Sequence, residues 1–153
     1  MDKHIIGAVA KLARVALLRK EVPVGAVVID GKGGIVGRGY NRVHSRKDAT
    51  RHAEMLAIRA AARKLGDWRL EGCQLVVNLE PCLMCLGAIA NSRIKQVTYF
   101  LADPAFGSAE SKLSPAQLKK LFPKLIIKRV ADAGGTKALL QQFFRQLRSK
   151  RSS

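Results

Sequence analysis

A chain of 153 residues with 28 lysines and arginines against 11 acidic residues carries a formal charge of +17, far more than solubility requires. Nucleic acid is the polyanion that best fits such a balance, although an acidic protein or a membrane surface would satisfy the same sign. With 48% hydrophobic and 25% charged residues the composition excludes a disordered chain, and Lys, Arg or Gly interrupts every apolar stretch short of spanning length, which excludes a membrane helix.

In chain order, Ile5, Ile6, Val9, Leu12 and Ala16 recur at helical spacing and predict a first helix over about 2–20. The same acid-poor stretch resembles an organelle transit peptide, but its periodicity and the strand pattern directly after it favour a packed helix and a cytoplasmic protein. "VPVGAVVID" (22–30) predicts a buried strand, 31–34 a tight turn, and "IVGRGY" (35–40) its antiparallel partner. A polar loop (41–49) leads into a helix over 51–65, with Thr50 as N-cap and Gly66 closing it. Strand 73–79 precedes a helix over 81–92 that has Pro81 in its favoured early position. Strand 94–101, a loop (102–114), a short helix from Pro115 and a strand at 125–130 follow. Thr136 is expected to cap a final helix to about 150, with a basic, frayed tail from about 149. Without repeats or linkers, residues 1–153 form one domain of α/β class, a mixed sheet between helices.

The cysteines are Cys73, Cys82 and Cys85, an odd count that argues against a disulfide scaffold and for a reducing compartment. In "PCLMC" (81–85), Cys82 and Cys85 are neighbours on one face of a helix start, where the macrodipole and free N–H groups favour thiolates. Two buried cysteines acting as small hydrophobes, or a redox CxxC, are the plainer alternatives. His52 in "TRHAEM" (50–55) shifts the balance to a metal. Two residues apart, His52 and Glu54 would point about 200° from each other inside a helix, but at its first turn the pair can serve one ion. His52, Cys82 and Cys85 then supply three zinc ligands and leave a position for water, with Glu54 placed to take its proton. A fourth ligand from Cys73 is disfavoured, because six strand steps of about 3.3 Å hold it roughly 20 Å from that end. His4 and His44 stay open as further ligands.

The pair "HAE" (52–54) and "PCLMC" resembles the zinc nucleobase deaminase signature H-x-E…P-C-x-x-C. "EVPVGAVV" (21–28), "NR" (41–42), "LEPCLMCLGAI" (79–89) and "SRI" (92–94) are similar to the tRNA-specific adenosine deaminases in particular, and "QFFRQLR" (142–148) resumes the likeness weakly. The resemblance implies a three-layer α/β/α cytidine-deaminase-like fold with a central five-stranded mixed sheet. It implies one Zn²⁺ per subunit on His52, Cys82 and Cys85, with Glu54 moving protons while adenosine becomes inosine. It further implies substrate contacts from Asn41, Asp103, Phe144 and Arg145. The expected substrate is the wobble adenosine of a tRNA anticodon stem-loop, bound by a dimer.

Two departures bear on these expectations. "FLADPAFGSAE" (100–110) keeps Asp103 and Gly107 of the bacterial loop but has Phe100 and Glu110 where glycines are usual. "ATRHAEM" (49–55) is closer to the catalytic subunit of the eukaryotic wobble deaminase, a heterodimer, so the partner is a second copy or a distinct subunit. Competing functions are deamination of cytosine in single strands or of a free base or nucleoside such as guanine, and a non-catalytic, zinc-stabilised RNA-binding module.

Overall fold

The first helix, α1 (Lys3–Leu18), buries Ile5, Val9, Ala13 and Ala16 on one side, and the Asp2 carboxylate caps it by accepting the His4 N–H at 2.7 Å. These coordinates, a computed structural model, describe residues 1–132 and 134–151, Arg151 by its backbone alone. Strands β1 (Gly25–Ile29) and β2 (Ile35–Tyr40) form the expected hairpin. Its turn is closed by Asp30, whose Oδ1 accepts the N–H groups of Lys32 and Gly34, both at 2.9 Å. A one-turn helix, α2 (Val43–Arg46), leads to α3 (Ala53–Leu65), then β3 (Gln74–Leu79), α4 (Leu83–Asn91) and β4 (Gln96–Leu101). The chain finishes with α5 (Pro115–Leu121), β5 (Ile126–Arg129) and α6 (Thr136–Arg151).

The five strands lie in the order β2-β1-β3-β4-β5, with β1 antiparallel to both neighbours and β3, β4 and β5 parallel. Alternation along each strand sorts the side chains into two layers. Val27, Val76 and Phe100 pack on Ile5 and Val9 of α1, and α6 lies beside α1 on that face. Ala26, Val28, Leu75, Val77, Val97 and Tyr99 point the other way, into a core with α3, α4 and Leu118 of α5. The architecture is thus the three-layer α/β/α sandwich expected.

One contact sets the distance of α3 from the sheet. Ala53, Ala57 and Ala61 form a fully buried stripe on α3. It lies so close to β2 that a Cβ on Gly39 would fall 2.7 Å from the Ala57 nitrogen, and one on Gly37 2.7 Å from that of Ala61. Alanine on the helix and glycine on the strand are what this approach requires.

Several boundaries differ from expectation for physical reasons. Thr50 does not cap α3: its hydroxyl and N–H both go to Asp48 Oδ1, at 2.6 and 2.9 Å. His52 occupies the N-cap position with extended backbone, and the Ala53 N–H is taken by Asn41 Oδ1 at 2.8 Å. Pro81 lies outside α4, which has Cys82 as its N-cap. Thr136 is the first residue of α6 rather than its cap; the Asp132 carboxylate accepts the N–H groups of Thr136 at 2.9 Å and Lys137 at 3.0 Å. That helix runs to Arg151, past the point where fraying is expected, and Ser152 and Ser153 lie outside the described residues. The one-turn α2, expected as loop, is held by Glu21, whose carboxylate accepts the N–H groups of His44 at 2.9 Å and Ser45 at 2.7 Å. Among the described residues no helix is long and apolar enough to cross a membrane.

Candidate active site

Strands β2, β3 and β4 all end at the same edge of the sheet, the position where open α/β sheets gather ligands. Asn41 follows β2, Glu80 and Cys82 follow β3, and Asp103 follows β4. The N-termini of α3 and α4 meet there as well. His52 and Cys82 are the two N-caps, so their side chains project off the helix ends, while Cys85 stands in the first turn of α4, fully buried. The angular objection to His52 and Glu54 acting together disappears, because His52 is not in the helix.

His52 Nδ1 lies 3.7 Å from Cys82 Sγ and 3.5 Å from Cys85 Sγ, and the three ligand atoms are all within 4.8 Å of one another. Zinc bonds of about 2.3 Å to sulfur and 2.0–2.1 Å to nitrogen at a tetrahedral angle separate N and S by roughly 3.5 Å. The group therefore fits zinc. Among the described residues it is the one group of three His, Cys, Asp or Glu side chains so arranged. Without metal, one of the two thiols carries the charge. The Cys82 thiol is held down to about 4, by the hydrogen bond from Cys85 first and by the His52 ring as well. That thiolate raises His52 in turn. The proton stays on Cys85, pushed up by Cys82, by burial and by the charge of Glu54.

Glu54, 4% exposed, borders this group. Burial pushes its carboxyl up to about 7, a range suited to taking and returning protons. It lines a cavity of about 560 Å³ together with Asn41, His44, His52, Leu79, Asp103 and Phe106. Because Asn41 Oδ1 is committed to the Ala53 N–H, its Nδ2 remains to donate.

Of the residues singled out from sequence, His52, Cys82, Cys85, Glu54, Asn41 and Asp103 come together at this cavity. Cys73 lies in the core at the start of β3 and is not part of the metal group, its thiol pushed up by burial. His44 is at the rim and His4 on the exposed start of α1, neither among the ligands. Phe144 and Arg145 are on α6, where Phe144 packs edge-to-face on Phe143 with ring centroids 5.4 Å apart, and neither lines the cavity.

Two buried carboxylates were missed. Glu80, 3% exposed, accepts the N–H groups of Asp103, Glu110 and Ser111, each at 2.9 Å, and the Ser111 hydroxyl. Burial works to raise its pKa, but these donors outweigh it and hold the carboxyl below the usual range. Glu21, 1% exposed, is in the same position with His44 and Ser45. A glutamate directly before "PC", just past the end of β3, is the signal available for Glu80; the partners of Glu21 lie more than 20 residues away.

A three-layer sandwich with one histidine and a Cys-x-x-Cys pair at converging helix N-termini, beside a buried glutamate, defines a cytidine-deaminase-like deaminase. The chain belongs to the MafB19-like deaminase family, whose profile matches residues 2–148. It is similar to a tRNA-specific adenosine deaminase of Streptococcus pyogenes, 36% identical over 143 residues that are 94% of this chain and 89% of that protein. It is also similar to a tRNA(Ile)-lysidine synthase of Deinococcus radiodurans, 50% identical over 103 residues, 67% of this chain and 18% of that protein. The chain thus spans about a fifth of the length of the two Deinococcus lysidine synthases it matches, 19% and 18%. A solved deaminase from work on A-to-I editing at the wobble position of transfer RNA shares the fold with a TM-score of 0.80 at 34% identity, over 91% of this chain and 100% of that one.

Proposed function

We propose that this chain is one deaminase domain that hydrolytically converts adenosine to inosine in tRNA, at the wobble position of an anticodon stem-loop, as a dimer in the cytoplasm. The observation that carries this reading is the buried Glu54 that lines one cavity with His52 and Cys82 of the metal group and with Asn41, whose Nδ2 remains to donate. A purely structural metal site has no use for such a carboxylate. The named relatives and the charge of +17 support tRNA as the substrate class, since phosphate neutralisation supplies most non-specific affinity.

His52, Cys82 and Cys85 would hold zinc, which when bound supplies a Lewis acid that activates water. Glu54 takes one proton from the water that adds at C6 and passes it to N1 of the ring, then takes the second from the resulting C6 hydroxyl and delivers it to the departing amine. The C6–N bond breaks, ammonia leaves and inosine remains. Asn41 orients the base through Nδ2, and Asp103 faces the same cavity from the loop after β4. Phe144 and Arg145, outside it, would meet RNA beyond the target base.

Anticodon stem-loops with A or C at the wobble position, alongside free adenosine, cytidine and guanine, test the reading. Inosine from the A stem-loop alone is the expected result. Reaction of a free base only, or of cytosine only, would contradict it, and no reaction together with a fourth protein ligand on zinc would favour the non-catalytic module.

A further inference from the structure

Phe106 is 75% exposed, yet it lines the same cavity as Asn41, His52 and Glu54, which puts its ring at the cavity's rim. It is held in place on both sides. Ahead of it, the Asp103 N–H is bound by Glu80, and Asp103 Oδ1 accepts the N–H groups of Ala105 at 3.3 Å and Phe106 at 3.4 Å. After it, the Gly107 N–H reaches Asp103 O at 2.8 Å and the Ser108 N–H reaches Pro81 O at 2.9 Å. Glu80 closes the loop again at Glu110 and Ser111. Gly107 lies so close to the Glu80 carboxylate that any Cβ there would collide with it.

A buried, four-donor carboxylate thus fixes a loop that carries a phenyl ring left in water. Nothing in core packing calls for that ring, and a loop built only to close the fold would not hold an aromatic outward. Unstacked bases are held on such rings, and stacking tolerates any base because every base has a π-face. Leu83 and Met84, also exposed, line the same cavity and add to its apolar surface. The chain's positive charge favours a nucleic-acid strand over a second copy of the chain as the occupant.

We propose that Phe106 is the stacking platform for the base of a nucleotide flanking the one that enters the cavity. The proposal rests on the nucleic-acid substrate argued above, since a free nucleoside would leave the ring uncovered.

The test compares zinc-loaded parent, Phe106→Ala, Phe106→Leu and Phe106→Trp on the A stem-loop, and on stem-loops with an abasic nucleotide at each neighbour of the target. Alanine and leucine should raise KM about 5- to 150-fold, the range that one base–aromatic stack supplies, with kcat within about twofold of the parent. Tryptophan should restore KM, and zinc content should be the same in all four. The abasic site at the stacking neighbour should raise the parent's KM by a similar factor and leave that of Phe106→Ala unchanged. An unaltered KM in Phe106→Ala overturns the proposal, as does rescue by leucine equal to that by tryptophan. Dissociation of the alanine variant into monomers under sedimentation would assign the ring to a subunit contact and overturn it too. A parent inert on every stem-loop removes the proposed function and this proposal with it, whereas an active parent matched by Phe106→Ala removes the platform alone.

Discussion

Cys82 and Cys73 share a chemistry but not an environment, and the difference is measurable. Cys82 is an N-cap whose thiol faces Cys85 and His52 and is held down to about 4. Cys73 is buried among apolar side chains, which push its thiol up. Cys82→Ser is therefore expected to purify with little or no zinc. Cys73→Ala should keep a full equivalent and lose about 1 kcal/mol of stability, the ordinary cost of a small core change. Metal analysis of the two proteins, with urea melts, checks both; zinc loss from Cys73→Ala would mean that the ligand set is wrong. Glu21 gives a second prediction at this scale. Burial raises its pKa, but the N–H groups of His44 and Ser45 outweigh that and hold the carboxyl below its ordinary value, with the His44 charge assisting. A depressed carboxyl contributes stability that is fully present above its unfolded pKa of about 4.3 and is lost as the pH falls through the folded value. Urea midpoints should accordingly fall between about pH 5 and pH 3, and Glu21→Gln should be less stable at neutral pH with a shallower acid limb. An identical pH profile for the variant would contradict the assignment.

Among the elements, the packing of α3 on β2 does most to place the site, because His52 sits at the end of that helix. Gly39 admits no Cβ, so Gly39→Ala should cost about 1–3 kcal/mol through overpacking and weaken zinc retention by displacing His52. Denaturant melts with zinc titration test this; a variant as stable and as metal-tight as the parent would show that the helix has room to move. The hairpin, every helix but α2 and the strands were legible from hydrophobic period together with turn and capping residues, and His52, Cys82 and Cys85 were legible as one group from their types and spacing. What sequence did not give was the satisfaction of backbone groups by distant side chains. Thr50 is a good local N-cap candidate, but Asn41, twelve residues before Ala53, takes the first helical N–H while Thr50 turns back to Asp48. The one-turn α2 depends on Glu21, and the loop after β4 on Glu80, neither of which leaves a trace in local periodicity. A carboxylate that organises a loop from across the fold becomes visible only when its donors are seen around it.

For the whole molecule, the charge of +17 is spread along the chain and makes RNA affinity a strong function of salt. With about 6–10 phosphate contacts, binding of a stem-loop should weaken roughly 10³- to 10⁵-fold between 50 and 200 mM salt. A shallow slope in fluorescence-anisotropy titrations would mean that the charge is not used on a phosphate backbone. The fold brings two helix N-termini and a buried glutamate to one edge of the sheet, and Glu54 is the point at which they become chemistry. The most direct measurement incubates zinc-loaded parent and Glu54→Gln with the wobble-A stem-loop, reads inosine by mass spectrometry, and determines zinc in the same samples. The parent should form inosine, and the variant, with equal zinc, should be slower by about 10²- to 10⁴-fold, as expected of a lost general acid–base. Inosine formed at the parental rate by Glu54→Gln, or by neither protein despite full zinc, would contradict the account.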